Sequence, residues 1–419
     1  MTDAPLNSGA SIDVAVIGAG PSGLAAAIAL KKAGVPRVVV LEREAEAGGI
    51  PRHCNHPPYG IREFGRILKG PQYAARIAAS ARRAGVEIHL MTSVAEIHVG
   101  GRLIVSTLDG VHEITARRVI YATGVRETPR SARLISGVRT QGVVNTGSLQ
   151  SMVYLEHRRP FRRPVIVGTE LVAFSALLTC RSAGIEPVAM IEAEPAVTAR
   201  WPSAVFPRLI NVELLTDTDL IEIIGDKSVE AVILQGPAGN TRRVECDGVV
   251  LTGQFIPEVA LARCGHLDVD PATGGPIVDQ WGRCSDPVYF ATGNVLRPVE
   301  TAGKSWAEGQ STGEWVAQDL IERLPNRNNS LSVVIGDNRL KYTMPQLICP
   351  TGEAAGGMTD IQMRVTERVS GTLIARAHGE MVWRHTLNTR PERRITAPVF
   401  AIASQASGPV EFTIEGATS

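Results

Sequence analysis

The chain has 419 residues, a formal net charge of +1, 44% hydrophobic residues and 20% charged residues. This composition is typical of a soluble globular protein, and the length predicts two or three domains. The near-neutral charge gives no reason to expect a nucleic acid or an anionic membrane as a partner. The first residues show no signal-peptide pattern and the apolar runs are too short to cross a bilayer, so we expect a cytoplasmic protein.

The cysteines are scattered and include no CxxC pair; they are Cys54, Cys180, Cys246, Cys264, Cys284 and Cys349. This spacing argues against a thioredoxin-type redox pair, a zinc site of paired cysteines, and an iron–sulfur cluster held by this chain. Reduced thiols in a reducing cytosol are the simpler interpretation. His53, Cys54 and His56 lie close together, but adjacent residues point apart and make a poor chelator. We therefore predict no metal site.

The first predicted element in chain order is a βαβ unit that runs from Ile12 to Glu42. An apolar run over residues 13–17 predicts a strand, a helical pattern extends to Gly34, and a second apolar run over 38–41 predicts another strand. The first strand and the helix are joined by a glycine turn that consists of Gly18, Ala19, Gly20, Pro21, Ser22 and Gly23. Dinucleotide-binding folds have this order of elements.

Each part of the turn has a physical role. Gly18 permits the tight turn, Gly20 lets a pyrophosphate approach the backbone, and Gly23 lets helix and strand pack closely. Pro21 suits the first helical turn, whose N–H groups attract phosphates. Glu42 can accept hydrogen bonds from ribose hydroxyls. The turn therefore predicts a dinucleotide site, and a glycine turn in an ordinary α/β protein is the alternative.

The following elements repeat this unit. After the pair Gly48-Gly49, the pattern predicts a helix at 72–84 and strands at 86–90 and 94–120, the last ending at Ala122-Thr123-Gly124. A second unit has a strand at 164–168, a helix to residue 182, a strand ending at Glu192, and short strands up to residue 253. A last strand at 288–294 leads into a helix at 303–320. We predict an α/β fold with two Rossmann-like dinucleotide-binding domains, the first discontinuous (12–150 and 255–322) and the second inserted (151–254).

The tail has a different character. Residues 322–330 are polar and predict a linker. Seven short runs between glycine, aspartate and proline turns predict a small all-β domain over residues 331–419; they are 333–335, 340–343, 361–365, 372–377, 382–386, 395–402 and 410–414. The expected role of this domain is an interface, and structural support is the alternative.

Over about residues 12–322 the chain resembles the FAD-dependent pyridine-nucleotide oxidoreductases, which have two dinucleotide-binding domains. The resemblance is carried by the first glycine turn with Glu42, the Gly48-Gly49 pair, the Ala122-Thr123-Gly124 strand end, and the stretch 291–294. It implies that the first domain binds FAD. It also implies that the helix beginning near residues 301–304 directs its positive N-terminus at the flavin pyrimidine ring, where it would stabilise reduced flavin.

The resemblance also implies site residues. The predicted FAD contacts are Gly18, Ala19, Gly20, Pro21, Ser22, Gly23, Glu42, Arg43, Gly49, Ile50, Thr123, Gly124, Gly293, Asn294, Thr301 and Ala302. Asn294 stands where the family usually has an aspartate, and an amide can still donate and accept hydrogen bonds. No catalytic residue is identified; Arg52, His53 and Lys304 are candidates, with plain loop structure as the alternative. Arg126 and Glu127 would contact the cofactor or form a surface ion pair.

Two departures from the family pattern limit the chemistry. Only Cys54 lies near the glycine pair, so disulfide reduction is not expected. The second turn, at residues 168–173, keeps one glycine of three, and Glu170 stands where a pyrophosphate would approach the backbone. A carboxylate there would repel a phosphate. NAD(H) binding at the second domain is therefore doubtful, and Glu192 would favour NADH over NADPH if a nucleotide bound.

The loop Gly49–Gly60 and its sequel narrow the resemblance to the FAD-binding alpha-type subunits of heteromeric bacterial dehydrogenases. Those enzymes act on opines, proline or hydroxyproline, or are similar to hydrogen cyanide synthase. This resemblance implies two partners, a small iron–sulfur protein and a second flavoprotein subunit. The tail lacks a cysteine-rich segment, so any cluster would lie on another chain.

Three hypotheses follow. The first is an FAD-carrying dehydrogenase subunit that oxidises a small amino acid, imino acid or opine-like substrate. The second is a self-contained NADH-dependent reductase of a small redox protein. The third is a non-catalytic flavin- or nucleotide-binding scaffold that holds a partner through its β tail. The sequence does not identify the substrate, because substrates are selected by the shape of a pocket.

Overall fold

The computed structural model describes residues 11–199, 203–327, 330–350 and 356–416. The helices are α1 (Pro21–Lys32), α2 (Ile61–Phe64), α3 (Gly70–Arg83), α4 (Thr146–Tyr154), α5 (Leu171–Ser182), α6 (Phe206–Leu209), α7 (Ala260–Cys264), α8 (Ala302–Asp319) and α9 (Val399–Ala403). Within these ranges, no helix has the length and apolar character needed to cross a membrane.

The strands fall into three groups along the chain. The first group is β1 (Ile12–Ile17), β2 (Val38–Leu41), β3 (Glu87–His89), β4 (Ser93–Ile97), β5 (Arg102–Thr107), β6 (Gly110–Tyr121), β7 (Val125–Glu127), β8 (Ser136–Gly137) and β9 (Val143–Asn145). The second is β10 (Pro164–Val167), β11 (Ala189–Ile191), β12 (Glu213–Leu215), β13 (Asp219–Gly225), β14 (Val229–Gln235), β15 (Thr241–Glu245), β16 (Gly248–Leu251), β17 (Phe255–Pro257) and β18 (Tyr289–Ala291). The third is β19 (Leu331–Ile335), β20 (Leu340–Met344), β21 (Leu347–Ile348), β22 (Asp360–Val365), β23 (Val369–Ala377), β24 (Glu380–Thr389), β25 (Ile395–Pro398) and β26 (Val410–Glu415).

The first sheet has the order β3-β2-β1-β6-β5-β4, and β18 pairs with β6 in parallel. All six residues of β1 are buried, as expected for a parallel strand that is covered on both faces. The apolar run at 13–17 therefore formed the central strand that its pattern predicted. β18 follows the second sheet in the chain and yet pairs with β6, so the first sheet is built from two separate stretches of chain.

The second sheet repeats the first. Its order is β12-β11-β10-β16-β9, and all four strand pairs are parallel. The unit β10–α5–β11 has the same arrangement as β1–α1–β2, and an antiparallel meander of β13, β14 and β15 follows it. The predicted fold class of two Rossmann-like sheets is confirmed. The predicted domain limits stay predictions, and β9, which falls before the predicted boundary at residue 150, pairs with β16 of the second sheet.

The C-terminal region is β-rich, as predicted, and forms two sheets with the orders β21-β19-β26-β23-β24 and β20-β22-β25. One predicted strand was wrong in its second half, because residues 399–403 form α9 directly after β25. Pro398 has no N–H for the ladder and its φ of −71° suits a helix start, so the strand ends there. Tyr342 and Met344 of β20 are buried in the same hydrophobic cluster as Ile17 and Tyr289, so this region packs directly on the first domain.

Candidate functional site

The first glycine turn is held by backbone contacts around Glu42. This side chain is buried at the end of β2; its Oε2 accepts the N–H of Ala19 at 2.8 Å and its Oε1 accepts the N–H of Glu44 at 3.0 Å. Gly18 has φ +105°, and a Cβ on it would lie 2.6 Å from the carbonyl oxygen of Ala122. The turn therefore requires glycine at position 18, and the carboxylate fixes its orientation.

An open cradle lies above this turn. A Cβ built on Gly20 or on Gly124 would meet no atom within 4 Å, whereas one built on Gly49 would lie 2.8 Å from Gly20 Cα. Gly48 donates its N–H to the carbonyl of Ala19 at 2.8 Å, which ties the glycine pair to the turn. Gly49 therefore lies against Gly20 at the N-terminus of α1, where helix N–H groups favour an anion, and no neighbouring residue obstructs Gly20 or Gly124.

The end of β18 lies against the same turn. A Cβ on Gly293 would lie 2.7 Å from Ser22 Cβ and 3.8 Å from Ser305 Cβ. Ser305 lies in the first turns of α8 and is buried, and its Oγ has no hydrogen-bond partner within the described residues. A buried hydroxyl without a partner is costly, and a bound ligand would satisfy it. The sequence analysis missed Ser305, since one serine after a glycine-rich segment carries no distinguishing signal.

Asn294 is used partly within the chain. Its Nδ2 donates to the carbonyl of Glu300 at 3.1 Å, and its Oδ1 accepts the N–H of Glu300 at 2.8 Å. The amide therefore closes loop 294–301 and keeps one N–H for a ligand. Thr301 is the N-cap of α8 and makes no side-chain cap hydrogen bond, so the first N–H groups from Ala302 onward keep their capacity to bind an anion.

Of the remaining predicted residues, two are exposed to solvent and two are bonded to other residues of the chain. Arg43 and Ile50 are exposed, and Arg43 Nε lies 3.7 Å from Glu44. Thr123 donates its hydroxyl to the carbonyl of Glu258 at 2.7 Å. Lys304 Nζ lies 3.7 Å from Glu300, so this catalytic candidate is an ion-pair partner.

Arg52 and His53 lie in the 3-10 turn Ile50–His53, between β2 and α2. Arg52 Nε lies 3.6 Å from the Glu46 carboxylate. Burial lowers the pKa of His53, so the imidazole is neutral at physiological pH. The next residue, Cys54, donates its thiol to Gln150 Oε1 at 3.3 Å, and burial raises the pKa of this thiol to about 11. A thiol in that state is a poor nucleophile.

Glu127 is not a surface residue. Its carboxylate is buried and accepts the N–H of Gly147 at 2.8 Å and that of Gly253 at 3.2 Å, so it links the first turn of α4 to the segment that follows β16. Arg126, in contrast, is exposed and lies 3.5 Å from Glu258. The sequence left a cofactor contact and a surface ion pair open for both residues, and only Arg126 forms the surface pair. Burial raises the pKa of Glu127 to about 7.

This pKa predicts a pH-dependent stability. The ordinary value is 4.5, so folding takes up a proton between pH 4.5 and 7, and the free energy of unfolding falls by ~3 kcal/mol as the pH rises through that window. Glu127→Gln should remove this dependence. The measurement is the difference in melting temperature between wild type and variant from pH 5 to 8, with the exposed Glu186→Gln as control. A difference that stays constant across this range would contradict the assignment to Glu127.

The second glycine turn is filled by its own side chain. The Glu170 carboxylate is partly buried; its Oε2 accepts the hydroxyl of Thr252 at 2.9 Å and would lie 2.6 Å from a Cβ on Gly168. A Cβ on Gly253 would overlap the same carboxylate. Gly253 follows β16 as Gly124 follows β6, and the space above Gly124 is open. The two halves of the repeat therefore differ at this position, where the first has Gly20 with no neighbouring atom within 4 Å of a built Cβ and the second has Glu170.

The acid at the second strand end repeats the role of Glu42. Glu192 is buried, and it accepts the hydroxyl of Thr169 and the N–H of Glu194, the latter at 3.2 Å. Across the part of the chain that the structure describes, no group of three or more His, Cys, Asp or Glu side chains could hold a metal ion.

Comparison with known proteins agrees with this architecture. The family model described as pyridine nucleotide-disulphide oxidoreductase matches residues 12–312. The alpha subunit of sarcosine oxidase from Corynebacterium sp. (strain P-1) is 27% identical over 93% of this chain and 42% of its own length. The opine oxidase A subunit of Rhizobium meliloti (strain 1021) is 28% identical over 44% of this chain and 39% of its own length. A putative glutamate synthase [NADPH] small chain of Cereibacter sphaeroides is 35% identical over 74% of this chain and 78% of its own length.

The chain thus spans less than half the length of the sarcosine and opine oxidase subunits that it matches. The matched family region includes both Rossmann-like sheets, the open first cradle and the start of α8. This chain belongs to the pyridine nucleotide-disulphide oxidoreductase family.

Proposed function

We propose that this chain is the FAD-carrying subunit of a heteromeric dehydrogenase that oxidises a small amino acid, imino acid or opine-like substrate. The observation that carries the proposal is the contrast between the two glycine turns. No neighbouring residue obstructs Gly20 or Gly124 in the first half, whereas the Glu170 carboxylate lies against Gly168 and Gly253 in the second. This contrast supports a single dinucleotide site among the described residues, with electrons supplied by a substrate other than a nicotinamide nucleotide.

The residues around the first cradle fit FAD. Gly20 and the N-terminus of α1 would take the pyrophosphate, Glu42 lies where a ribose would be bound, and Ser305 offers a buried hydroxyl without a partner. The start of α8 would stabilise negative charge through its helix dipole. When bound, FAD would supply the capacity to accept two electrons from one partner and pass them to another.

Partner subunits are part of the proposal. Two of the relatives are named as the alpha subunit of a sarcosine oxidase and the A subunit of an opine oxidase. Sarcosine and opines are both oxidised at a C–N bond, which supports the same substrate class here. The cysteines of this chain show no cluster spacing. A second flavoprotein subunit that holds the substrate, and a small iron–sulfur protein that takes electrons onward, complete the proposed assembly.

An anaerobic titration with NADH, followed at the visible flavin band, tests the proposal. We expect no bleaching of the purified chain by one equivalent of NADH and full bleaching by dithionite. Glu170→Gly is the matched variant, because it restores the glycine that position 20 has in the first turn. If NADH binds this variant and not the wild type, the Glu170 carboxylate is the group that prevents NADH binding.

The second candidate is a self-contained reductase that uses NADH. It is favoured by the complete second Rossmann-like sheet with Glu192 at its strand end, and by the relative whose name includes NADPH. Bleaching of the wild type near one equivalent of NADH would support this candidate and overturn the first.

A further inference from the structure

A buried group of charged side chains lies between loop 294–301 and the C-terminal β region. The carboxylate of Glu300 is 7% exposed. Arg394 approaches both of its oxygens, with Nε at 3.1 Å from Oε1 and Nη2 at 2.5 Å from Oε2, and Arg364 Nη2 lies 3.5 Å from Oε1. Two arginines from the tail therefore meet one carboxylate that directly precedes the N-cap of α8.

Arg364 also holds the main chain of the loop. Its Nη2 donates to the carbonyl of Val299 at 2.8 Å, and its Nη1 donates to the Glu392 carboxylate at 2.5 Å. The guanidinium is 7% exposed, so these contacts are screened little by solvent. Arg364 thus connects strand β22 to the loop at two consecutive residues, Val299 and Glu300.

A second arginine connects the other end of the loop. Arg297 is fully buried; its Nη1 donates to the carbonyl of Gly293 at 3.2 Å and to the Glu308 carboxylate at 3.1 Å. Gln362 of β22 accepts from Arg297 Nε and Nη2 at 3.2 and 3.0 Å. The tail therefore helps to orient a guanidinium that joins the end of β18 to α8.

These contacts lead directly to predicted FAD-contact residues. Glu300 exchanges two hydrogen bonds with Asn294, and Thr301 follows it as the N-cap of α8. Gly293, which accepts from Arg297, borders the first glycine turn through Ser22. A shift of the tail residues would therefore move the loop and the helix start together.

The group also carries excess positive charge. Three carboxylates, of Glu300, Glu308 and Glu392, face five cations; the cations are Arg297, Arg364, Arg394, Lys304 and Lys341. This charge adds to the positive dipole end of α8, and both favour a negative ligand at this place.

We propose that the C-terminal β region completes the cofactor site, with Gln362, Arg364 and Arg394 as positioning residues for loop 294–301 and the start of α8. The inference rests on the proposed function, because the ligand is FAD. It gives the tail a task within this chain, where the sequence predicted an interface or general support. Removing a positioning arginine should weaken FAD binding and make the flavin harder to reduce.

The test compares full-length variants by their Kd for FAD and by the midpoint potential of the bound flavin. Arg394→Gln should raise the Kd by about ten-fold or more, which corresponds to ~1.4 kcal/mol of lost coupling, and shift the potential to more negative values. Arg394→Lys keeps the charge and should restore most of both properties. Arg376→Gln, which removes a more exposed tail ion pair with Glu415, is the control and should change neither property.

A second variant, Glu300→Gln, means that the test does not rest on Arg394→Gln alone. It should also weaken FAD binding, because it releases the loop, but it removes a negative charge and should move the potential in the opposite direction to Arg394→Gln. Wild-type Kd and potential in both variants, with only a lower melting temperature, would show that the contacts merely stabilise the tail and would overturn the inference. A wild-type chain that binds no FAD would instead overturn the proposed function.

Discussion

Gly20→Glu is expected to abolish FAD binding. The change copies into the first turn the residue that fills the second one, since the Glu170 carboxylate lies against Gly168, Thr252 and the position above Gly253. At position 20 the new side chain would place a negative charge at the N-terminus of α1, where the pyrophosphate is proposed to bind. We expect the Kd for FAD to rise by at least about 100-fold, or ~3 kcal/mol.

Equilibrium dialysis or fluorescence titration of the flavin-free chain measures this change. Ala33→Glu is the matched control, because it adds the same side chain at an exposed position just beyond the other end of α1. It should leave the Kd unchanged. If the Gly20→Glu protein remained folded and yellow with the wild-type Kd, the pyrophosphate would not lie above Gly20, and our assignment of the first cradle would be wrong.

Gly309→Ala is expected to destabilise the first domain, although alanine is the better helix former. In an open helix this substitution would add up to ~1 kcal/mol of stability. Here a Cβ would lie 2.8 Å from Ser22 Cα and closer to the Ser22 carbonyl oxygen, because α1 and α8 cross with their backbones in contact. The helices would have to separate, so we expect a net loss of about 2 kcal/mol or more.

Thermal or urea unfolding of the two proteins measures this loss. Gly147→Ala is the control, because its Cβ would meet no atom closer than 3.6 Å and the position lies in helix α4. This variant should match or exceed the wild-type melting temperature. A Gly309→Ala protein that is as stable as wild type would show that α1 and α8 can move apart without loss of stability. The close contact of the two helices would then not be required for stability.

Part of this molecule could be predicted from local patterns. The strand at 13–17, the glycine turn and the helix after it depend on residues within about ten positions of one another, and the structure has β1, the turn and α1 there. The loss of a dinucleotide-binding glycine from the second turn could also be recognised, because the glutamate that replaces it is visible in the sequence of the turn itself. The hydrogen bond that this glutamate accepts could not be predicted, because its partner Thr252 is 82 residues away in the sequence.

The same limit applies to the tail. Its strands were recognised from turn residues and alternation, but α9 was missed because Pro398 stops a strand that the apolar pattern continues. The contacts of Arg364 and Arg394 with loop 294–301 join residues 65 and 94 positions apart. Arg394 follows Arg393 in a polar turn, a pattern that normally indicates a solvated surface, and Arg364 is a single arginine within strand β22, so no local signal marked either as part of a site.

The sequence by itself determined the family, the two Rossmann-like sheets and the glycine positions around the first cradle, because backbone geometry and apolar periodicity are local properties. Only the tertiary structure decided that the first cradle is open and the second filled. It also decided that Glu127 is buried between segments, with Gly253 lying 126 residues away, and that the tail reaches the start of α8. These features depend on which distant side chains meet, and the charge of a residue does not reveal its partner.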